Sequence, residues 1–357
     1  MKEPVPRLLA VSHLEGWEGQ WDGLVDQAPL PSPFLRSWWL TSTAGPQRRF
    51  LLAVDGEQLM GGLALDERGW PGLQILHMMG SGHLCPDHMD LITAPGQKDL
   101  TISLLRTWFQ RPGGRLLDLM GVPGNSRVVE ALPIPVSRVR FAVAPWTPLP
   151  DDAKVYFAGL PSQLRRNIRR ASTRLTAEGA NHRSRRGPSA VEALKTLRTM
   201  HEAQWGDRSR FLSEFDRFAA ACRLGAGADE VVVHELANDE TVIATVVSFE
   251  VAGRVSLYQS ARLTESRWRN AMSVLLNAVI SDACDRGFSE VDFLRGEEPY
   301  KDGFAPRRRE LFRLLAARGA AGRTARRTKS AASTTRRMAE DSVRAGLTAF
   351  GRGRPER

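Results

Sequence analysis

The chain has 357 residues, is 42% apolar and 25% charged, and carries a formal net charge of +10. Those proportions belong to a globular protein and exclude a disordered or fibrous chain; the length suggests two domains, or one large domain made of two similar halves. No apolar run reaches the ~18 residues that cross a bilayer, and the opening MKEPVPRLLAVSHLEG lacks the apolar stretch of a secretory leader.

Three well-separated cysteines, Cys85, Cys222 and Cys284, do not make a disulfide framework. They fit a reducing compartment, so a cytoplasmic protein is expected. The charge is uneven. Residues 318–357 hold eleven Lys/Arg against three Asp/Glu, which leaves only +2 of the total for the rest of the chain. RTARRTKSAASTTRR reads as a basic, flexible tail. It either solubilises the end of the chain or touches something acidic, such as RNA or a membrane surface.

Taken in chain order, the elements repeat. SPFLRSWWL (32–40) opens an amphipathic helix, and FLLAVDGEQLMGGLAL (50–65) reads as a β-hairpin. LQILHMMG (73–80) is a strand, DLTISLLRTWFQRPGG (99–114) a helix ending at glycine, and LLDLMG (116–121) another strand. The proline-rich LPIPVSRVRFAVAPWTPLP (132–150) joins this half to the next. The order then recurs in SRFLSEFDR (209–217), VVHELANDETVIATVVSF (232–249), RVSLYQSA (254–261), NAMSVLLNAVISDACDRG (270–287) and VDFLRG (291–296). A shared order of five elements indicates duplication. The strand–helix–strand part of each half needs a crossover, so parallel strands in a mixed α/β sheet are expected. The implied divisions are 1–148, 149–317 and the tail 318–357.

Four stretches carry candidate chemistry. In DFLRGEEPYKDGF (292–304) a buried strand gives way to Glu297, Glu298, Tyr300 and Lys301, at the strand end where α/β sheets place their ligands. The plainer reading is a helix cap with snorkelling side chains. LRRNIRRASTRL (164–175) puts Leu164, Ile168, Ala171 and Leu175 on one helical face. Arg165, Arg166, Arg169, Arg170 and Arg174 lie off that face, as a solvated surface or as an anion site for CoA phosphates, a nucleotide-linked sugar, tRNA or lipid headgroups. HLCPDHMD (83–90) is dense in metal-ligand residue types, but its spacing fits no zinc pattern and no metal is expected. An Asp turn explains it equally well. HEAQWGDRSRF (201–211) brings together His201, Gln204, Trp205 and Arg208, with Trp205 either core or a stacking platform. A catalytic serine triad, a P-loop and a dinucleotide fingerprint are all missing.

The helix–hairpin–strand–helix–strand order resembles the GNAT acyltransferase fold. Its doubling resembles a bacterial branch that includes acetyltransferases of cellulose and exopolysaccharide biosynthesis and is related to Fem-type aminoacyltransferases, which use charged tRNA. The likeness rests on residues 164–179, 201–211, 280–301 and 79–96, and covers about residues 30–315. It implies two tandem GNAT-like halves and an N-acyltransferase. The donor would be acyl-CoA, acetyl-CoA first among them. The acceptor would be an amine on a small molecule or sugar precursor.

By the same resemblance, Tyr300 would protonate the leaving thiolate, Glu297 would take the amine proton or position the acceptor, and Lys301 would offset negative charge. Asp87, His88 and Asp90 would stand in an acceptor loop near the cleft between the halves. Trp205, Arg208, Tyr258, Arg165 and Arg169 complete the substrate-binding set, and Gln259 faces the cofactor. GNAT proteins usually carry a glycine-bearing pyrophosphate loop before the helix that follows the fourth strand. Here that stretch is RWRNAMSV (267–274), without glycine. Phosphates would then rely on Arg267, Arg269 and Asn270. The missing glycine and the basic tail bring in aminoacyl-tRNA as an alternative donor. A non-catalytic anion-binding module, or a peripheral membrane contact, is the reading from outside enzymology.

Overall fold

The computed structural model describes residues 5–132, 135–239 and 241–329. The first half contains β1 (Arg7–Val11), α1 (Glu18–Asp26), α2 (Ser37–Thr43), β2 (Arg48–Asp55), β3 (Gln58–Trp70), β4 (Leu73–Met78), β5 (Ile92–Thr93), α3 (Lys98–Phe109), β6 (Gly114–Pro123), α4 (Val128–Ala131) and β7 (Ser137–Pro148). The second contains α5 (Ala153–Gly159), α6 (Ser162–Ala177), β8 (Asn181–Arg185), α7 (Gly187–Trp205), α8 (Phe215–Gly227), β9 (Val231–Ala237), β10 (Val242–Val251), β11 (Arg254–Arg262), α9 (Ala271–Asp285), β12 (Glu290–Asp292), α10 (Pro299–Phe304) and β13 (Arg307–Arg318).

Local sequence explains most of these. The strand β9 opens with three β-branched valines and is buried throughout. Ile102, Leu105, Trp108 and Phe109 form the buried stripe of α3. Gly287, at φ 76°, ends α9 in the left-handed turn that glycine adopts without steric cost; the next amide, Phe288 N–H, reaches back to Ala283 O at 3.0 Å.

The described strands form one mixed sheet in the order β1-β2-β3-β4-β6-β13-β7-β12-β11-β10-β9-β8, with β5 alongside β3. The halves exchange their last strands. The first half's β7 pairs antiparallel with β12, Asp292 opposite Trp146. The second half's β13 pairs with β6, Arg318 opposite Arg115. Between them β7 and β13 pair with each other. The proline-rich connector is thus a strand at the centre of the sheet rather than a linker. Of the two prolines within β7, Pro148 faces the three-residue strand β12, opposite Glu290, and Pro145 faces Arg308 of β13.

One apolar core spans both halves, with Phe34, Trp39, Phe218 and Phe249 in it; a second lies within the second half around Ile168, Leu275 and Val291. Equivalent elements of the repeat, α2 and α8, pack against each other, and Trp38 Nε1 donates to Glu230 at 2.7 Å across the seam. A buried charged network also crosses it. Asp292 Oδ2 meets His88 Nε2 at 2.9 Å, Arg254 at 3.1 Å and Arg309 at 3.1 Å. Glu290 takes Arg254 at 2.5 Å and Arg309 at 2.6 Å.

The basic segment after β13 begins as helix over 319–329. Lys329 Nζ reaches Asp118 at 2.6 Å, and Asp118 also holds Arg313. Residues 330–357 of the expected tail lie outside the described residues.

Candidate active site

The site begins as a gap between two parallel strands. β11 and β12 pair only from Arg254–Ser256 to Glu290–Asp292. Beyond that point β11 continues to Arg262, while the chain after β12 turns away through Leu294 at φ 54° and Gly296 at φ 130°. A bulge helps to part them. Val247 of β10 faces Gln259 and Ser248 faces Leu257, which leaves Tyr258 as the extra residue on β11. The gap opens into a cleft of about 840 Å³.

Four elements wall this cleft. One wall is β11 itself, including Gln259 and Arg262. At the mouth stand Ser266, Arg269, Asn270 and Ser273, where the chain enters α9. Asn270 lies in the left-handed region at φ 65° and makes no side-chain cap. The first amides of α9 therefore have neither an intrahelical acceptor nor a side-chain one, and they form a positive site facing the cleft. Asparagine tolerates this backbone better than other side chains do, so it supplies the turn that glycine would otherwise make.

The opposite wall is α10. Tyr300 lines the cleft with 45% of its surface exposed. Burial of its hydroxyl, and then the charge of Glu298, push its pKa up to about 12, so the phenol keeps its proton at neutral pH. Lys301 is buried, donates to Arg295 O at 3.1 Å and pairs with Glu298 at 2.9 Å. Glu298 lines the cleft, whereas Glu297 is exposed and is not among the lining residues.

The far wall is the end of α7, with His201, Gln204 and Trp205. His201 Nε2 meets Ser209 Oγ at 2.8 Å, and burial lowers its pKa, which favours the neutral ring. His201 Nδ1 and Gln204 Oε1 are buried without a hydrogen-bond partner, the unpaired state that a polar ligand relieves.

Cys85 and Asp87, from the first half, complete the lining. Asp87 Oδ2 accepts the Arg295 amide at 2.7 Å, and Oδ1 accepts Arg295 Nε at 2.6 Å. This carboxylate therefore fastens the loop to the second half. The other two polar residues of this loop, His88 and Asp90, are not among the cleft-lining residues. His88 belongs to the Asp292 network. Asp90 accepts the amides of Leu91, Arg127 and Val128 at 2.8, 3.0 and 3.0 Å and holds the start of α4.

The remaining sequence candidates fall elsewhere. Tyr258 is the exception, since it borders the cleft, but its ring packs among Phe34, Trp39, Phe218 and Phe249, and its hydroxyl donates to Leu84 O at 2.5 Å. Arg165 closes the end of α5 through Ala158 O and Leu160 O. Arg169 stacks on Phe157, Arg267 on Trp268, and Arg208 on Trp205 at the cleft edge. Arg174 donates to Arg269 O at 2.5 Å, tying the arginine-rich α6 to the mouth. Sequence reasoning passed over Ser266, Ser273 and Arg262, and favoured Glu297 over Glu298. Among the described residues no group of three or more His, Cys, Asp or Glu side chains gathers as metal ligands.

Residues 162–302, which lie in the second half, match the family model described as an acetyltransferase (GNAT) domain. Such domains generally take acyl-CoA as donor. Among solved structures the chain is similar to FemX, at 8% identity over 82% of this chain and 95% of that one, with a TM-score of 0.60. It is similar to L-PGS from Bacillus licheniformis at 12% identity, covering 83% and 90%, with a TM-score of 0.55. A conserved protein of unknown function from Bacteroides thetaiotaomicron gives 10% identity, 86% and 99% coverage and a TM-score of 0.58. No curated protein matches in sequence. At these identities the structural likeness concerns the fold.

Proposed function

We propose that the second half transfers an acyl group, acetyl first among candidates, from acyl-CoA to an amine of a small-molecule or sugar-precursor acceptor. The observation that carries this reading is the separation of β11 from β12 beyond Ser256 and Asp292, with the uncapped N-terminus of α9 at one lip and Tyr300 at the other. The pyrophosphate of CoA fits the α9 amides, aided by Ser266, Ser273 and Arg269. The pantetheine arm would lie in the gap, where β11 has lost its neighbour and has backbone groups free to bond it.

The chemistry then needs few groups. The acceptor nitrogen attacks the thioester carbonyl carbon, the C–N bond forms and the C–S bond breaks. The amine proton passes to Glu298, directly or through water, and the departing thiolate takes the phenolic proton of Tyr300. Lys301, held beside Glu298, lowers the cost of negative charge there. Glu297, exposed outside the lining, would act only from the rim. His201 and Gln204 offer unpaired polar atoms to the acceptor, with Trp205 as its platform. Most of the rate would come from holding donor and acceptor together.

A second reading keeps the site and changes the donor to aminoacyl-tRNA. The arginines of α6, linked to the mouth through Arg174 and Arg269 O, favour a larger polyanion. A thermal melt with acetyl-CoA, longer acyl-CoAs and charged tRNA separates the two. A ligand of the folded state at a hundredfold excess over its Kd adds about 2.7 kcal/mol. A rise with an acyl-CoA supports the first reading, and a salt-sensitive rise with tRNA alone overturns it.

A further inference from the structure

The helix α6 touches both lips of the cleft. At its start Leu164 lies against Gly303 of α10, the helix that carries Tyr300. Near its other end Arg174 donates to Arg269 O at 2.5 Å, in the residue just before the Asn270 turn that opens α9. Between these two contacts its arginines divide over two flanks. Ile168, Ala171 and Leu175 form the buried stripe. At about 3.6 residues per turn, Arg165 and Arg169 fall on one side of that stripe, and Arg166, Arg170 and Arg174 on the other. The first pair is used inside the fold, where Arg165 closes the end of α5 and Arg169 stacks on Phe157 of the same helix. The second flank therefore faces away from α5, on the side of the α9 mouth that Arg174 touches.

No carboxylate balances that second row. Arg166, Arg170 and Arg174 are all exposed. They stand one helical turn apart, the spacing at which like charges repel. Among the described residues none of them forms an ion pair, although Glu178 stands one turn beyond Arg174. Arg166 meets only the neutral amide of Gln163, at 2.6 Å, and Arg170 has no hydrogen-bond partner among the described residues. Three guanidinium groups thus stand in a row beside the entrance with most of their donors unused.

We propose that Arg170 and Arg174 bind the 3′-phosphate on the ribose of CoA, so that the site selects CoA over dephospho-CoA, an assignment that rests on the acyl-CoA reading above. CoA carries its charge in two places. Its pyrophosphate fits the α9 amides. Its ribose phosphate, on the nucleotide side of that group, then lies outside the cleft, past Arg269. A phosphate monoester holds about two negative charges near neutral pH, and guanidinium groups meet it through paired N–H donors. Arg174 stands at the α9 mouth, and Arg170 is about 6 Å from it along the helix, near enough for both side chains to close on one phosphate. Arg166, a further turn away, adds positive field rather than contact. A polynucleotide would draw on phosphate contacts over a wider surface, whereas this row is three side chains long.

Titration calorimetry of the full chain with CoA and with dephospho-CoA tests this. Wild type should bind CoA about tenfold tighter or more, and the ratio should shrink as salt is raised. Arg170→Gln, which removes no hydrogen bond or ion pair within the protein, should cut that ratio roughly threefold. Arg170→Gln/Arg174→Gln should bring it to about one by weakening CoA alone, with dephospho-CoA held within about twofold of wild type. A wild-type ratio near one overturns the assignment and leaves the acyl-CoA reading in place, and so does a ratio that both variants keep. Equal weakening of the two nucleotides in the double variant would make the row a support for the mouth, and overturns the assignment as well. Binding of neither nucleotide removes the acyl-CoA reading and this assignment with it. Loss of tRNA binding in the double variant, with the CoA ratio kept, would transfer the row to nucleic acid.

Discussion

Asp87 of the first half and Arg295 of the second close on each other at the edge of the cleft, with two carboxylate oxygens set against the guanidinium and the amide of one arginine. This bolt fixes the loop from the first half against the site of the second. Asp87→Ala would leave a mostly buried guanidinium with the Pro86 carbonyl as its remaining hydrogen-bond partner and the Phe141 ring beneath it. We expect a loss of about 3 kcal/mol in denaturant unfolding, together with a raised KM for acceptor. Arg295→Lys should recover little of it, because an ammonium cannot match the fork. An unchanged midpoint in Asp87→Ala would remove the bolt from this account.

Tyr300→Phe removes the proposed proton donor without removing the ring. A fall in kcat of ~10²-fold is expected, with the fold intact by circular dichroism. Because the Tyr300 pKa is raised to about 12, the wild-type rate should show no alkaline decline from this group below about pH 10. Glu298→Gln should lower kcat by ~10-fold or more, and Glu297→Gln by less than twofold. The reverse order for the two glutamates would put the base at the rim.

Asn270 tests the α9 mouth. Asn270→Gly keeps the left-handed backbone and should hold donor affinity within about threefold. Asn270→Val puts a β-branched residue at φ 65° and should cost ~1–2 kcal/mol in stability. Its donor Kd should rise at least tenfold, read by titration calorimetry with CoA. Equal affinity in both variants would show that the turn does not present the amides.

Acid should unfold the protein in two stages. Burial lowers the pKa of His234 to about 3, with His182, Arg186 and Arg286 adding to it. Its unfolded value is near 6.5. The unfolded state thus binds the proton first, so stability falls with pH from about 6.5 toward 3, by up to ~1.4 kcal/mol per pH unit. Asp292 follows. Burial opposes its ionisation, but His88, Arg254 and Arg309 outweigh that and hold its pKa below the usual carboxylate range. Its contribution is complete above pH ~4 and is lost as pH falls further. His234→Asn should flatten the slope of unfolding free energy between pH 6.5 and 4. A slope equal to wild type would assign the acid sensitivity elsewhere.

Much of this architecture was legible in the residues. Periodicity and turn chemistry located the hairpins β2–β3 and β9–β10, the strands β4 and β11, and the helices α3 and α9. Repetition in one order revealed the two halves, because each half must bury the same pattern of faces. The run from Glu297 to Lys301 marked the strand end where the cleft lies. Asn270 was named as a phosphate ligand, although its structural part is the backbone turn, a property that only φ reports.

What the sequence determined by itself was composition-level and local: a globular duplicated α/β protein, its main strands and helices, and a polar cluster after a buried strand. These follow from periods of two and 3.6 residues and from turn residues, all short-range signals. The tertiary structure decided which carboxylate faces the cleft, that Asp87 is a bolt while His88 and Asp90 hold the loop's surroundings, and that β7 and β13 are exchanged between the halves. Each of these depends on partners far apart in sequence, such as Asp87 and Arg295 or Asp292 and Trp146. A chain's local pattern says which face of a strand is buried, but not which strand it will be buried beside.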